Sequence, residues 1–505
     1  MRRYLAAAAV VLATALSALP GLPAQAKDPG ASSARPTDPA LVVAARVMAG
    51  RPSVGDPDPT LALRDLRLAM PRLSTTDRRQ ARALLARPTD GAGDVLGDGY
   101  TSPSTKKCNT HFCVHYVTNG SDPDAPPAGW VDETLTQLNK VWKLEIDNMG
   151  YRKPLSDGTK GGNSKLDVYL KDVWPRGYYG YCATEKRNPK HPYLYSGYCV
   201  LDDDFDPAQF GGAPALNSLK VTAAHEFFHA AQFATDASED GWFMESTATW
   251  MEERFADDID DNRQYLSRGQ LGRPQISLDK WASADLMQYG NWLWWEYLTS
   301  RKGNGVVKAV WNKAGAFQGA PDMYSTQALV SVLKNQGGFK KTFGEYSSGN
   351  TLPAKSYPEG AAYTPAPVAD TYTLESSAKS SGTHTLNIGH LASRSVRVIP
   401  GASLTGGNWA LRVTVDGPAS DTSPVVNVLT VKLDGSVKRE TIALSRTGAG
   451  KDTFSFNPSG VSSVTVTLTN ASTRFSCWRG KYFSCQGVAK DDGMAFKYTA
   501  AAFQK

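Results

Sequence analysis

The spacing of hydrophobic residues changes along the chain. Residues 219–233 are apolar nearly all round, which predicts a helix inside a core. Residues 242–254 follow an Asp-Gly turn and predict a second helix. Residues 130–149 have the periodicity of an amphipathic helix, and residues 165–170 alternate like a strand. Together these patterns predict an α+β domain.

From about Asn350 the pattern becomes one of short alternating runs. Asp-Gly turns separate several of them, and the clearest runs are 394–398, 411–415, 425–433 and 464–468. This pattern is typical of a β-sandwich, so we expect an all-β domain over residues 351–505. Because these runs contain no acid pair or cluster of metal-ligating residues, we expect an accessory domain for packing, substrate or cell-wall contact.

The N-terminal hundred residues differ from both regions. Residues 1–26 combine two Arg, a short apolar run and Ala-Gln-Ala, which is typical of a secretory signal peptide. Residues 27–99 begin with a stretch rich in Pro, Ala, Asp and Ser, and then carry helical patterns, with a helix start at Ser74. A pro-region that keeps the following domain inactive or helps it fold is expected here. The alternative is a plain N-terminal helical subdomain.

The six cysteines agree with export. They form three close pairs, and local disulfides are expected because these pairs close the shortest loops. The expected bridges are Cys108–Cys113, Cys182–Cys199 and Cys477–Cys485. Apart from the N-terminal run, which is itself too short, no apolar segment approaches a membrane span. The net charge of +6 implies little about nucleic acid, so we expect a soluble monomer with no nucleic-acid or membrane partner.

The helix predicted over 219–233 contains His225, Glu226 and His229, the pattern His-Glu-x-x-His. Residues four apart share one face of a helix, so both imidazoles can hold one ion while Glu226 takes a proton from an activated water. With 7 His and 13 Glu in 505 residues, chance produces this pattern in roughly one such sequence in a few hundred. A metal pair is therefore expected, rather than two core histidines satisfied by hydrogen bonds.

A catalytic zinc ion normally takes three protein ligands and keeps a fourth position for water. The third His of metzincins is excluded, because Gln232 and Thr235 occupy the positions of their Gly and His. A Glu on a second helix is the other common solution. Glu245 lies at the start of the predicted second helix, with Thr249 and Glu252 on the same face.

The segments HEFFHA and WFMESTATWMEE resemble the gluzincin zinc metallopeptidases, the group of thermolysin-like and aminopeptidase N-like enzymes. The blocks HFCVHYV, DVYL, YGYC and YGNWLW extend the resemblance to a family of predicted secreted bacterial metalloproteases. The resemblance implies a zincin-like catalytic domain over residues 100–350. It also makes His225, His229 and Glu245 the zinc ligands and Glu226 the general base.

Three further residues belong to this comparison. In thermolysin-like enzymes an Asp four residues after the third ligand orients a ligand His; Thr249 stands there, and its hydroxyl could do the same more weakly. Similar enzymes place a Tyr near the metal, so Tyr289 could donate to the oxyanion, with core packing as the alternative. Asp285 is the runner-up third ligand, because aspzincins carry an Asp shortly before Tyr-Gly. Its spacing here is one residue too long.

Two expectations concern the segment just before the His-Glu-x-x-His helix. In zincins a strand at this place forms the sheet edge that binds an extended peptide, so residues 198–205 are expected to form that edge. The acids at 202, 203, 204 and 206 could hold a calcium ion, although a solvated acidic turn is favoured.

The function expected from the sequence is that of a secreted zinc-dependent endopeptidase acting on peptides or proteins. Two alternatives stay open. One is a secreted binding or structural protein with a relic zinc site. The other is a zinc amidase acting on a non-peptide or cell-wall amide.

Overall fold

The computed structural model describes residues 37–505, except 54, 92–98, 282–285 and 481–482. The predicted signal peptide, residues 1–26, lies outside the described residues. So do Asp285 and the first and last parts of the predicted pro-region.

The α-helices of the described residues lie between Pro39 and Gly349. Ser74 caps the helix Thr75–Leu84 by accepting a hydrogen bond from the Asp77 amide at 3.0 Å, at the predicted helix start. The helices are α1 Pro39–Met48, α2 Pro59–Ala69, α3 Thr75–Leu84, α4 Trp130–Trp142, α5 Ala215–Asp236, α6 Gly241–Phe255, α7 Met287–Gly290, α8 Trp292–Lys302, α9 Gly305–Ala314, α10 Ser325–Leu333 and α11 Phe339–Gly349.

The strands fall into two groups, separated by helices α5 to α11. The first group is β1 Ser104–Cys108, β2 Phe112–Val117, β3 Leu166–Leu170, β4 Gly180–Arg187 and β5 Tyr195–Leu201. The second group is β6 Asp370–Leu374, β7 Ser380–Ile388, β8 Ala392–Pro400, β9 Trp409–Asp416, β10 Pro424–Lys432, β11 Val437–Thr441, β12 Ala449–Ser455, β13 Val461–Asn470, β14 Phe475–Ser476, β15 Val488–Ala489 and β16 Met494–Gln504.

The first group forms one five-stranded sheet in the order β1-β2-β3-β5-β4. Pairing is parallel between β2, β3 and β5 and antiparallel at both edges. Alternate side chains point to opposite faces. One face packs on α4 and α5 through residues such as Val168 and Cys199. The other packs on α1 to α3 through Tyr169, Tyr198 and Val200. Helices α1 to α3 thus form a third layer of the fold, the N-terminal layer.

The prediction that residues 198–205 form the edge of the sheet is wrong. Residues 195–201 form β5, which pairs with β3 on one side and β4 on the other. Strand β4 is the edge strand. It forms an antiparallel hairpin with β5 and lies on the side of β5 away from β3. The hairpin is closed by the Cys182–Cys199 disulfide. Any extended ligand that adds a strand on this side must therefore pair with β4.

The second group confirms the predicted all-β region. A five-stranded sheet, β11-β10-β13-β8-β6, packs on a four-stranded sheet, β12-β9-β16-β7, around a separate apolar core. Helix α11 joins it to the rest: a Cβ on Gly344 would lie 2.6 Å from Val425 Cγ1, so only glycine permits this approach.

All three predicted disulfides are present: Cys108–Cys113, Cys182–Cys199 and Cys477–Cys485. Such bridges are typical of proteins exported to an oxidising compartment. Among the described residues, no helix is both long enough and apolar enough to cross a membrane.

A buried histidine ties the β-rich region to the helical part. His390 Nε2 lies 2.9 Å from Asp279 Oδ1, and its Nδ1 lies 3.4 Å from Asp492 Oδ1. Burial lowers the pKa of His390, but the two carboxylates, Asp279 above all, outweigh it and raise that pKa to about 9. His390 therefore carries a charge in the folded protein at neutral pH.

This contact predicts a pH-dependent stability. Because the pKa of His390 is higher in the folded than in the unfolded chain, its contribution is complete below about pH 6.5 and is lost as pH rises through about 9. The contribution should reach about 3 kcal/mol at most. Denaturant unfolding of the wild type and His390→Gln at pH 6 and pH 10 checks this. The two proteins should differ more at pH 6, and an equal difference at both values would refute the assignment.

Candidate metal centre

Helices α5 and α6 meet around a group of three buried side chains. His225 and His229 lie one helical turn apart on α5, and Glu245 lies in the first turns of α6. One ligand atom from each lies within 4.8 Å of the other two. His229 and Glu245 are almost completely buried, at 1% and 0% exposure. The structure thus brings together the three residues that the sequence predicted as ligands.

The His225 ring is held between two carboxylates. Its Nδ1 lies 2.6 Å from Glu252 Oε1, and its Nε2 lies 3.2 Å from Glu245 Oε2. Burial lowers the pKa of His225, but hydrogen bonds to Glu245 and Glu252 outweigh burial and raise it well above its ordinary value. Burial also raises the pKa of Glu252, to about 7. The Glu252 contact orients the ring so that Nε2 faces the shared position.

The His229 ring is oriented by its own helix. Gln232 Oε1 accepts a hydrogen bond from His229 Nδ1 at 2.7 Å. The Gln232 amide donates in turn to the Met244 carbonyl at 2.9 Å and to Thr247 Oγ1 at 3.1 Å. Gln232 therefore links the ligand ring on α5 to the backbone of α6. The His229 Nε2 is left facing Glu245 Oε1 at 3.4 Å.

Glu245 is the residue whose contacts best fit a bound cation. Burial raises the pKa of Glu245, but the charges of His229 and His225 outweigh burial and lower it below its ordinary value. Its Oε1 is buried and has no hydrogen-bond partner among the described residues. Two imidazole nitrogens and one carboxylate oxygen are donors that a divalent transition metal takes in catalytic sites. The residues therefore fit such an ion.

Glu226 lies beside this group and belongs to the same cavity. Its Oε2 accepts a hydrogen bond from Thr60 Oγ1 of α2 at 3.4 Å. Burial raises the pKa of Glu226, while the charges of His229 and His225 act against it, and the balance lies above the ordinary value. A carboxylate with a raised pKa is suited to hold a proton transiently near neutral pH.

Tyr289 enters the site from α7. Its ring centroid lies 5.9 Å from that of His225 and 5.3 Å from that of Tyr265. Gly290 makes this placement possible: a Cβ there would lie 2.3 Å from the Tyr265 carbonyl oxygen and from Gly269 N. Burial raises the pKa of Tyr289 well above its ordinary value, so the phenol keeps its proton.

A cavity of about 440 Å³ opens beside the three candidate ligands. Its walls come from α5, α6, the start of β4 and the N-terminal layer. Asp58, the N-cap of α2, lines the cavity with a buried Oδ2 that has no hydrogen-bond partner among the described residues. Burial raises the pKa of Asp58 to about 8, and the charges of Glu245 and Glu226 add to this.

The structure corrects the prediction for Thr249. Its hydroxyl donates to the Glu245 carbonyl of its own helix at 3.0 Å and does not orient a ligand ring. Glu252 does so for His225, because the next turn of α6 brings a carboxylate level with Nδ1. The position of Glu252 on the same helical face as Glu245 and Thr249 was the feature of the sequence that could have indicated this role. Asp58, Thr60 and Tyr265 had no signal in the sequence.

Carboxylates of the acidic segment after β5 also lie close together. Ligand oxygens of Asp172, Asp202 and Asp203 lie within 4.8 Å of one another. Asp202 Oδ1 accepts from the Phe205 amide at 2.8 Å, which is the hydrogen bonding of a turn. Asp202 and Asp203 are buried, so the expected solvated turn is wrong for these two residues, and calcium stays the untested alternative.

Residues 96–350, about half of the chain, match a family model described as a family of unknown function, DUF6055. The chain belongs to the DUF6055 family. No curated protein matches it. One solved structure, described as "Structural and functional characterization of Pseudomonas aeruginosa AlgX", is similar at 12% identity and a TM-score of 0.15. That match covers 26% of this chain and 28% of the AlgX chain, too little to support any argument. The DUF6055 match includes all of α4 to α11 and thus every residue of the candidate centre except Asp58 and Thr60.

The contacts of His225 predict a difference between two neighbouring substitutions. Glu252→Gln should weaken metal affinity about 10- to 100-fold, because it loosens the ring that presents Nε2. Thr249→Val should leave the affinity within about twofold, since the Thr249 hydroxyl bonds only its own helix. Competition titration with a chromophoric zinc chelator measures both. Equal losses in the two variants would contradict the assignment.

Proposed function

We propose that this DUF6055 protein is a secreted zinc-dependent endopeptidase. The observation that carries the proposal is the convergence of His225, His229 and Glu245 on one position, with Glu226 in the same cavity. Two His and one Glu are a common ligand set of catalytic zinc in hydrolases. The helix order and the sheet beside α5 support a zincin-like domain over residues 100–350.

His225, His229 and Glu245 would hold the ion. Zinc bound there supplies a Lewis acid that polarises a carbonyl group and activates a water for attack on it. Glu226 accepts the proton of the attacking water and passes it to the leaving amine, a role that suits its raised pKa. Glu252 and Gln232 keep the two rings in position throughout.

Tyr289 is proposed to donate its phenolic hydrogen to the oxygen of the carbonyl as negative charge develops. Its ring lies beside His225 and lines the cavity. The high pKa of Tyr289 keeps this hydrogen available across the physiological pH range.

A second candidate function is hydrolysis of a small non-peptide amide. The observation in its favour is the shape of the cleft: a cavity of about 440 Å³ is closed on one side by the N-terminal layer. The same residues would perform the same chemistry.

Glu226→Gln tests the proposal most simply. The variant should bind zinc with wild-type stoichiometry and lose about 10²- to 10⁴-fold in hydrolysis of a casein substrate, since only the proton acceptor changes. Glu345→Gln, on the exposed side of α11, is the matched control and should keep full activity. A fully active Glu226→Gln would rule out this mechanism.

Tyr289→Phe separates a catalytic from a packing role. Loss of the hydroxyl should lower kcat about 10²- to 10³-fold and leave KM nearly unchanged. Tyr193→Phe, at an exposed position outside the cavity, should change neither constant. If Tyr289→Phe instead left kcat unchanged, Tyr289 would serve packing alone.

A further inference from the structure

The N-terminal layer covers the edge of the sheet beside the metal centre. The Cys182 amide of β4 donates to Thr60 Oγ1 at 3.0 Å, and Arg67 Nε donates to the Thr184 carbonyl at 3.0 Å. Residues two apart in a strand point their peptide groups to the same side, so both bonds lie on the edge away from β5. These are the groups with which an extended peptide would pair.

Thr60 also reaches the predicted general base. Its hydroxyl donates to Glu226 Oε2 at 3.4 Å and accepts from the Cys182 amide. One side chain of α2 therefore contacts the edge strand and the carboxylate that would accept the proton. A substrate carbonyl approaching the centre along β4 would have to displace Thr60.

Asp58 stands just before Thr60, in the wall of the cavity that contains the three ligands. Its Oδ1 accepts from the Leu61 amide at 2.9 Å and caps α2. Its Oδ2 is buried and lacks a hydrogen-bond partner among the described residues. An unpartnered buried carboxylate costs free energy unless a cation or a donor is near it. The charge of His229 acts on the Asp58 carboxyl group, and both residues line the same cavity.

We propose that the N-terminal layer, α1 to α3, holds the enzyme latent. Asp58 narrows the cavity that contains the three candidate ligands, Thr60 holds Glu226, and Thr60 with Arg67 covers the β4 edge to which a substrate would pair. This proposal rests on the function proposed above and specifies how that site is regulated. Full activity requires that the layer leave the cleft.

The layer does not leave by itself, because it is anchored at its far end. Arg87 is buried among three carboxylates and donates to Glu185 Oε1 at 2.8 Å, to Asp167 Oδ2 at 2.7 Å and to Asp157. The layer also covers the apolar sheet face that includes Tyr169 and Tyr198. Separation of Arg87 from its partners would leave buried charges unpaired. Release therefore needs both cleavage of the connection after α3 and separation of Arg87 from these carboxylates.

The test uses the full chain with a protease recognition sequence inserted between Asp90 and Gly91, which are exposed. The chain is loaded with Co²⁺, and acetohydroxamate binding is followed by visible absorption before and after nicking. Acetohydroxamate should bind about tenfold more tightly to the nicked chain. The Asp58→Ala variant, left uncleaved, should show a similar increase in acetohydroxamate affinity. Arg72→Ala, an exposed residue of the same layer that pairs with Asp38, should show none.

Casein hydrolysis by the zinc-loaded chain is measured in parallel. The nicked chain should be at least tenfold more active than the intact chain. Equal hydroxamate affinity in intact, nicked and Asp58→Ala proteins would overturn the latency proposal. A gain in hydroxamate affinity without any casein hydrolysis would support occlusion by Asp58 and overturn the endopeptidase function. The two proposals can therefore fail separately.

Discussion

The contact of the buried Glu245 carboxylate with two imidazoles is the interaction on which the centre depends. A carboxylate with no exposure to solvent is stable only beside a positive charge or several donors. His225 Nε2 lies 3.2 Å from its Oε2 and His229 Nε2 lies 3.4 Å from its Oε1, and Oε1 has no hydrogen-bond partner among the described residues. A metal ion at this position would satisfy all three side chains at once. Helices α5 and α6 are therefore packed around a point where charge must be balanced.

The surrounding structure fixes that point from several sides. Gln232 joins α5 to α6, and the Trp295 indole donates to Ser246 Oγ at 2.8 Å, which holds α6 against α8. The sheet packs against α5, and the all-β region contacts the segment between α6 and α7 through His390 and Asp279. A rigid centre of this kind keeps ligand atoms within the small tolerances that metal binding requires. Residues of the N-terminal layer form one wall of its cavity.

Local patterns in the sequence were sufficient for the elements that carry the ligands. The i, i+4 spacing of His225 and His229 and the face of α6 that bears Glu245 follow from helical geometry alone. The disulfide partners followed from short loops. Contacts between distant segments were not predictable: Thr60 lies 166 residues from Glu226, and nothing local signals that α2 lies against β4. The edge strand was misplaced for the same reason, because strand order depends on how the hairpin folds back.

The central claim is that His225, His229 and Glu245 bind one zinc ion. X-ray absorption at the zinc edge of the full chain, loaded with one equivalent of zinc, tests it most directly. Two imidazole nitrogens at about 2.0–2.1 Å and carboxylate or water oxygens at about 2.0–2.2 Å are expected. The Glu245→Gln chain should lose one of the oxygens or release the ion. A spectrum with no imidazole scattering, or one unchanged by Glu245→Gln, would contradict the account.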